Sequence, residues 1–177
     1  MAEPATQRRM TVAEFLAYDD GTDTRYELVG GEMVAMNPPA ETHVRIMANM
    51  FRAMDRRLAE PCRVYVGGGV WIAENDDTWR EPDLFVACES RGGFSNVPRL
   101  IVEILSPSTE KEDRTRKLDF YRRFDSIEAI LFVWQDTPRV ELQERAEGAW
   151  IVRDIIGGGD VAIASLGLAI PLSEIYA

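Results

Sequence analysis

Histidine and cysteine, the side chains that most often bind zinc, are scarce in this sequence. The chain has one histidine, His43, and two cysteines, Cys62 and Cys88. The cysteines are far apart and lack the paired spacing of a zinc site. We therefore expect no zinc centre. We predict that the cysteines are two separate, small hydrophobic residues buried at strand positions.

Long apolar runs are also missing. No segment approaches the roughly 20 consecutive apolar residues that a membrane-spanning helix needs. The first segment, MAEPATQRRMTVAEF, has basic side chains but no apolar core behind them, which is unlike a signal peptide. These absences predict a cytoplasmic protein without a membrane partner.

Positive charge is the third shortage. The chain has 30 acidic residues against 20 lysines and arginines, for a net charge of −10. Proteins that hold nucleic acid by releasing counterions usually present a basic face. Any such face must be local here and must act against the field of the whole molecule. The sequence also lacks a helix-turn-helix or zinc-finger pattern that would read bases.

The chain has the length of one domain. A chain of 177 residues can bury roughly two thirds of its unfolded surface in a single core. We expect residues 1–10 to form a disordered tail and residues 11–177 to form a single domain.

The N-terminal half carries clear helix and turn signals. Thr11 and Glu14 have the spacing of a capping box at the start of a short helix. The pair Gly30–Gly31 separates two short strand-like runs, which predicts a β-hairpin. A second helix is expected from near Glu41, because apolar residues then recur every three or four positions.

The C-terminal half is rich in strand-like runs. The stretch 80–121 indicates strand, loop, strand, tight turn and helix, and AILFVW is expected to be another buried strand. The segments RVELQER, AWIVRDI and DVAIAS alternate in the manner of an antiparallel meander, and PLSEIYA predicts a closing helix. The order indicates an α/β protein of the α+β type. We expect a central mixed β-sheet flanked by helices, with an N-terminal β-hairpin and C-terminal antiparallel strands.

Two acids in the stretch 80–121 are unusual. Asp83 enters a strand beside Pro82, and Glu103 lies inside the apolar run LIVEIL, where a carboxylate is costly to bury unless something positive faces it. Two carboxylates from neighbouring strands, with a third acid nearby, form the usual ligand set for Mg²⁺ or Mn²⁺. They are therefore candidate metal ligands. The alternative for Asp83 is a bond to local backbone amides at the start of the strand.

Lys117 is the candidate cation of such a site. On the predicted helix, Asp113, Lys117 and Tyr121 share the face of the aromatic residues that should pack inward. Lys117 could thus be aimed at the strand ends that carry the acids. The alternative is an exposed Asp113–Lys117 pair, worth roughly a few tenths of a kcal/mol. Tyr121 is expected to pack, or to reach the site through its hydroxyl.

Other polar residues have simpler interpretations. A lone histidine such as His43, in the first turn of a helix, is usually a capping or packing residue, and a role in the site is the alternative. Ser106 and Ser108 are expected to be turn and capping residues, because no histidine is placed to activate them as nucleophiles.

The motifs of this chain resemble those of a known family. REPDLFVAC, PRLIVEILSPST and the following Asp113, Lys117 and Tyr121 are similar to the Uma family of restriction endonucleases, which belongs to the PD-(D/E)XK nuclease superfamily. The similarity runs from MTVAEFLAY through RYELVGGEMVAM to PLSEIYA, so it covers nearly the whole domain. The PDL and VEILSPST motifs together are fairly specific, whereas either alone is weak.

The resemblance implies a restriction-endonuclease-like core in residues 11–177. It implies that Asp83 and Glu103 are the metal-binding acids and that Glu27 is an additional acid of the site. Pairing with Arg25, or exposure to solvent, is the alternative for Glu27. Mg²⁺ or Mn²⁺ is the implied cofactor, and nucleic acid, in particular DNA, is the implied partner.

One position departs from the superfamily pattern. The lysine expected two residues after Glu103 is Leu105 in this chain. Lys117, from the following helix, could supply the missing charge from a different backbone position.

The candidate residues and the resemblance are consistent with three functions. The leading one is a metal-dependent endonuclease in which Asp83 and Glu103 hold the ion, Glu27 assists, and Lys117 positions water or stabilises developing charge. The second is a nuclease-fold binding or assembly module without turnover, which Leu105 and the net charge favour. The third is a hydrolase of small phosphorylated substrates. A homodimer is expected, with the strands after residue 138 at its interface.

Overall fold

The computed structural model describes residues 9–73, 77–89, 95–107 and 110–177. Its helices are α1 (Val12–Leu16), α2 (Glu41–Asp55), α3 and a C-terminal helix (Leu172–Ile175). Helix α3 has three parts, namely Glu110–Glu112, a π-helical segment Asp113–Lys117, and Leu118–Tyr121. The strands are β1 (Tyr26–Val29), β2 (Glu32–Ala35), β3 (Arg63–Val66), β4 (Leu84–Ala87), β5 (Leu100–Leu105), β6 (Ala129–Trp134), β7 (Arg139–Ala146), β8 (Ala149–Ile156), β9 (Asp160–Ile163) and β10 (Leu168–Pro171).

The centre of the fold is a six-stranded sheet in the order β3-β4-β5-β6-β7-β8. All neighbouring strands are antiparallel except β5 and β6, which are parallel and are joined by the crossover through α3. Every residue of β5 and β6 is buried. Strands covered on both faces have nearly continuous apolar runs, which explains LIVEIL and AILFVW. The expected mixed sheet flanked by helices is confirmed.

The two faces of the sheet are covered by different elements. Helix α2, the β9–β10 pair and the C-terminal helix pack on one face, around residues such as Val102 and Leu131. Helix α3 packs on the other face, where Phe120, Tyr121 and Phe132 are buried. Because side chains alternate along a strand, Glu103 projects to the α3 face.

The predicted C-terminal meander is only partly continuous. Strands β7 and β8 pair antiparallel along their full length, but β9 pairs with β10 in a separate two-stranded sheet. Strand β8 is therefore an edge of the central sheet. Its Val152 and Ile156 are 51% and 67% exposed.

The N-terminal hairpin forms as predicted. Gly30 and Gly31 have positive φ angles of 57° and 80°, which a tight two-residue turn between twisted strands requires. Leu28 and Trp79 exchange two backbone hydrogen bonds, of 3.0 and 2.8 Å. This exchange fixes the hairpin to the segment that leads into Asp83.

The two N-terminal helices begin where the sequence predicts. The capping box of Thr11 and Glu14 is present, and α2 begins at Glu41. Residues 1–8 of the predicted tail and Ser108 lie outside the described residues, whereas the backbone N–H of Met10 donates to Gly31. None of the helices in the described part of the chain is both long and apolar enough to cross a membrane.

The prediction for the cysteines was wrong. Strands β3 and β4 pair so that Arg63 faces Ala87, and the next residues outward, Cys62 and Cys88, are joined by a disulfide. Both are partly rather than fully buried. Cysteine spacing alone did not show that these two strand ends are neighbours.

Candidate active site

Asp83 lies immediately before β4, beside the middle of β5. Leu84, the first residue of β4, pairs with Val102. The side chain of Asp83 therefore reaches the end of this pairing, where its Oδ2 accepts a 2.6 Å hydrogen bond from the backbone N–H of Ile104. Ile104 directly follows Glu103, so Asp83 and Glu103 lie side by side on neighbouring strands.

Glu103 is buried inside β5, with 3% of its surface exposed. Its Oε1 and Oε2 lie 3.1 and 3.2 Å from Nζ of Lys117. The hydroxyl of Tyr121 also donates to Oε1. Helix α3 thus supplies two donors to one carboxylate, so Tyr121 both packs and reaches the site.

Lys117 ends the π-helical segment of α3 and points inward. Its Nζ also lies 3.2 Å from Oδ1 of Asp113 and 3.6 Å from Oε1 of Glu27. The predicted i,i+4 pair with Asp113 is present, but it is buried instead of exposed. π-helical turns are rare and frequently occur at functional sites. Here the π turn begins at Asp113 and ends at Lys117.

Glu27 joins the site from β1, 4% exposed. Its Oε2 accepts a 2.7 Å hydrogen bond from Arg80, and its Oε1 accepts a 3.0 Å hydrogen bond from the backbone N–H of Glu81. Arg25 pairs with Glu81 instead. The structure therefore excludes both simpler interpretations of Glu27, pairing with Arg25 and exposure to solvent.

Arg80, Asp113 and His43 complete the cluster, although none of them was among the residues predicted to form the site. Arg80 is almost fully buried, yet in the sequence it looks like one of many surface arginines. Asp113 was expected on the inward face of the helix or in an exposed pair with Lys117, but it was not among the predicted acids of the site. His43 was noted as a possible site residue, and its Nε2 lies 2.9 Å from Oδ1 of Asp83.

The cluster contains more negative than positive charge. Two cations, Lys117 and Arg80, face four acids, namely Glu27, Asp83, Glu103 and Asp113. The guanidinium of Arg80 also contacts Glu112 at 3.3 Å. Burial in an apolar region, and the nearby charges of Asp113 and Asp83, raise the pKa of Glu103 well above its usual value. Lys117 and Tyr121 oppose this shift only in part.

Lys117 itself stays protonated. Burial alone would lower the pKa of its ammonium, but the attraction of Glu103, Glu27, Asp113 and Asp83 outweighs burial and raises the pKa above the ordinary value. Lys117 is therefore a fixed positive charge and not a proton acceptor at neutral pH.

The site lines a cavity of about 1150 Å³. In the residues that the structure describes, no three or more His, Cys, Asp or Glu side chains are arranged to hold a metal ion. Mg²⁺, however, is usually held by one or two carboxylates and keeps water or substrate oxygens as its other ligands. Hard carboxylate oxygens and excess negative charge in the wall of a cavity fit such an ion.

Comparison with known proteins agrees with this architecture. Residues 12–173 match the model of the Uma2 family, described as "Putative restriction endonuclease". Two proteins of Synechocystis sp., each named an uncharacterized protein, are similar to this chain. The first, sll1609, is 27% identical over 86% of this chain and 91% of its own length. The second, slr1290, is 24% identical over 95% of this chain and 92% of its own.

A solved structure shares the fold. It is that of "a putative nuclease belonging to DUF820" from Anabaena variabilis, and it covers 94% of this chain and 97% of its own. The TM-score is 0.71 with 18% sequence identity. At this identity the likeness shows the fold alone.

Proposed function

Because this chain belongs to the Uma2 family of restriction-endonuclease-like proteins, we propose that it is a metal-dependent endonuclease that hydrolyses phosphodiester bonds in nucleic acid. The observation that carries the proposal is the meeting of Lys117 with Glu103 and Glu27, next to Asp83, in the wall of one cavity. A buried acid with a raised pKa in a cavity, as Glu103 is here, is typical of functional sites.

Asp83 and Glu103 would hold Mg²⁺ or Mn²⁺. A divalent ion there supplies positive charge that polarises the phosphate and lowers the pKa of an attacking water. The same charge compensates the excess negative charge of the cluster. Glu27 contributes indirectly, because it is held by Arg80 and lies 3.6 Å from Nζ of Lys117, which it helps to orient.

Lys117 would stabilise the charge that develops on the phosphate during hydrolysis. Its ammonium is fixed by three carboxylates, so little reorganisation is needed when the reaction occurs. Water attacks phosphorus and one phosphorus–oxygen ester bond breaks, which yields a phosphomonoester and a free hydroxyl. Since Lys117 stays protonated, its role is electrostatic.

DNA is the substrate that we propose, and the mouth of the cavity offers cations for its backbone. Arg25 and Arg116 line the cavity with side chains that are 54% and 76% exposed, and each is paired with an acid, Glu81 and Glu112 respectively, that a phosphate could replace. Such local positive groups are what an acidic protein requires to approach a polyanion.

We also propose that the protein acts as a homodimer through the edge strand β8. An edge strand has unpaired backbone N–H and C=O groups, and β8 adds the exposed apolar side chains Ile151, Val152 and Ile156. Pairing with a second β8 would satisfy both. Val152→Lys should yield a monomer by light scattering, while the exposed Val34→Lys on β2 leaves the mass unchanged. Equal masses for wild type and Val152→Lys would reject this interface.

The central experiment is calorimetric titration of Mn²⁺ together with cleavage of a mixed panel of DNA and RNA. Wild type should bind about one ion per chain, while Asp83→Asn and Glu103→Gln should lose both binding and cleavage. Glu32→Gln is the matched control, because Glu32 is an exposed acid on β2. Undiminished cleavage in Asp83→Asn and Glu103→Gln would refute the assignment.

A second candidate is a hydrolase of small phosphorylated substrates. The nearly complete burial of Glu103 and Asp113 favours it, because a small ligand reaches recessed acids more easily than a duplex does. Mn²⁺-dependent release of phosphate from nucleotides, without cleavage of any polynucleotide, would support this candidate over the endonuclease.

A further inference from the structure

His43 meets the site from a helix that carries no other member of the acidic cluster. It lies in the first turn of α2, and its side chain is 14% exposed. Ile46 and Met50, three and seven residues further along, are buried in the core. His43 therefore lies on the face of α2 that packs against the sheet, so the packing of this helix places its ring beside Asp83.

Asp83 is bound through both of its oxygens. His43 contacts Oδ1 at 2.9 Å, and the backbone N–H of Ile104 donates to Oδ2 at 2.6 Å. An ionised carboxylate only accepts hydrogen bonds, so Nε2 of His43 carries the proton that it shares with Asp83. Each carboxylate oxygen has a second lone pair, which remains available to another ligand.

The location of Asp83 explains why it needs such a partner. Asp83 precedes the first residue of β4, so strand pairing does not fix its backbone as it fixes that of Glu103. Its side chain is 20% exposed, compared with 4% for that of Glu103. Without His43, the Oδ1 of Asp83 would lose its 2.9 Å partner, and the side chain could turn toward solvent.

We propose that His43 is a positioning residue, which holds the carboxylate of Asp83 in the orientation that binds the divalent ion. The proposal rests on the proposed function, because it takes Asp83 as a ligand of the ion. An N–H donor on a packed helix is suited to this task, since one hydrogen bond orients the carboxylate and leaves its other lone pairs for the ion. Hydrogen-bonding partners of metal ligands commonly contribute 10–100-fold to metal affinity.

The test is Mn²⁺ titration by calorimetry, with urea unfolding of each variant in a chelator. His43→Gln keeps an N–H donor at about the reach of Nε2, whereas His43→Asn is one methylene shorter and His43→Leu has no donor. We expect His43→Leu and His43→Asn to weaken Mn²⁺ binding by about 10–100-fold. His43→Gln should restore it to within a few-fold of wild type. Met47→Leu, one turn along α2 in the same cavity wall, should bind like wild type.

Each outcome decides between specific explanations. If wild type binds Mn²⁺ and His43→Leu binds it equally well, the positioning role is overturned and the proposed metal site stands. If Gln weakens binding as much as Leu does, the hydrogen bond is not the cause, and the proposal also fails. If wild type itself binds no Mn²⁺, the proposed function fails first. If His43→Leu does not fold, the comparison of Mn²⁺ affinity between His43→Gln and His43→Asn still tests the positioning role.

Discussion

The ammonium of Lys117 lies 3.1 Å from a carboxylate oxygen of Glu103, between a π-helical turn and a buried strand. This pair ties α3 to the sheet at the point where the acids gather. Two further carboxylates, of Asp113 and Glu27, lie within 3.6 Å of the same nitrogen. Lys117 is therefore both the proposed source of electrostatic stabilisation and, with Arg80, a cation that compensates the negative charge of this cluster.

Removing the positive charge of Lys117 should destabilise the metal-free protein. Lys117→Met leaves buried carboxylates without their shared cation, which costs about 3–5 kcal/mol when one partner of a buried pair is removed. Urea unfolding in a chelator measures this loss. Because the cluster then carries more negative charge, Mn²⁺ should raise the melting temperature of Lys117→Met more than that of wild type.

The matched control is Lys111→Met, an exposed lysine on the same helix. It should change the free energy of unfolding by no more than about 0.5 kcal/mol. Equal stability of the two variants would show that Lys117 is not the cation on which the cluster depends.

Leu105 allows a test of whether a lysine two residues after Glu103 can reach the acids of the site. Leu105 is 2% exposed and projects to the same face of β5 as Glu103. In wild type, Leu105→Lys should cost about 3 kcal/mol or more, because it buries a second ammonium in an apolar cluster. In the Lys117→Met background the cost should be smaller, since the new ammonium can approach the vacated acids.

A double-mutant cycle of unfolding free energies isolates this coupling. Leu105→Met, which conserves volume, should cost less than about 1.5 kcal/mol in both backgrounds. Strict additivity of Leu105→Lys and Lys117→Met would mean that a lysine at position 105 does not reach the acids.

Tyr176 gives a prediction for alkaline pH. Its hydroxyl lies 2.7 Å from the backbone oxygens of Trp134 and Arg139, and burial raises the pKa of the phenol to about 12. Since this pKa is above the ordinary value of 10.0, the hydroxyl contributes fully to stability below pH 10. That contribution is lost as the pH rises through 12.

Tyr176→Phe should therefore cost about 1–3 kcal/mol at pH 7. The difference from wild type should stay constant to about pH 9 and then shrink toward pH 12, as followed by urea unfolding. Tyr18→Phe, at an exposed position, is the control and should match wild type at pH 7 within about 0.5 kcal/mol. A difference that grows with pH would contradict the assigned direction.

The disulfide of Cys62 and Cys88 should contribute to stability when it is formed. It closes a loop with a sequence separation of 26 residues, for which the chain-entropy account gives about 3–4 kcal/mol. Cys62→Ala with Cys88→Ala should lower the free energy of unfolding by about that amount, and reductant should do the same to wild type. Thiol titration of protein purified without reductant should find no free cysteine.

The disulfide also bears on location. The cytoplasm keeps most thiols reduced, so this bond does not follow from the cytoplasmic location that the sequence predicts. Two free thiols in protein isolated directly into alkylating reagent would indicate that the pair is reduced in the cell. In that case the disulfide would not contribute to the stability of the protein in the cell.

Local patterns were sufficient for much of the fold. Apolar runs of strand length located β5 and β6, and the Gly30–Gly31 pair located the hairpin. The Thr11–Glu14 capping box located α1, and the three- and four-residue spacing of apolar side chains located α2. These signals are readable because they depend on neighbours within one turn or one strand. The acid inside LIVEIL and the lysine on the aromatic face of α3 stood out for the same reason, since each is unusual among its immediate neighbours.

The sequence by itself thus located most of the elements, although not β10 or the π-helical segment of α3, and marked Asp83, Glu103 and Lys117 as unusual polar residues within them. Only the tertiary structure decided their partners. Arg80 meets Glu27 across 53 positions of the chain, and His43 meets Asp83 across 40. The disulfide depends likewise on the pairing of β3 with β4. Such contacts arise from how the hairpin, α2 and the sheet pack together, and a single sequence carries no periodic signal for packing between distant segments.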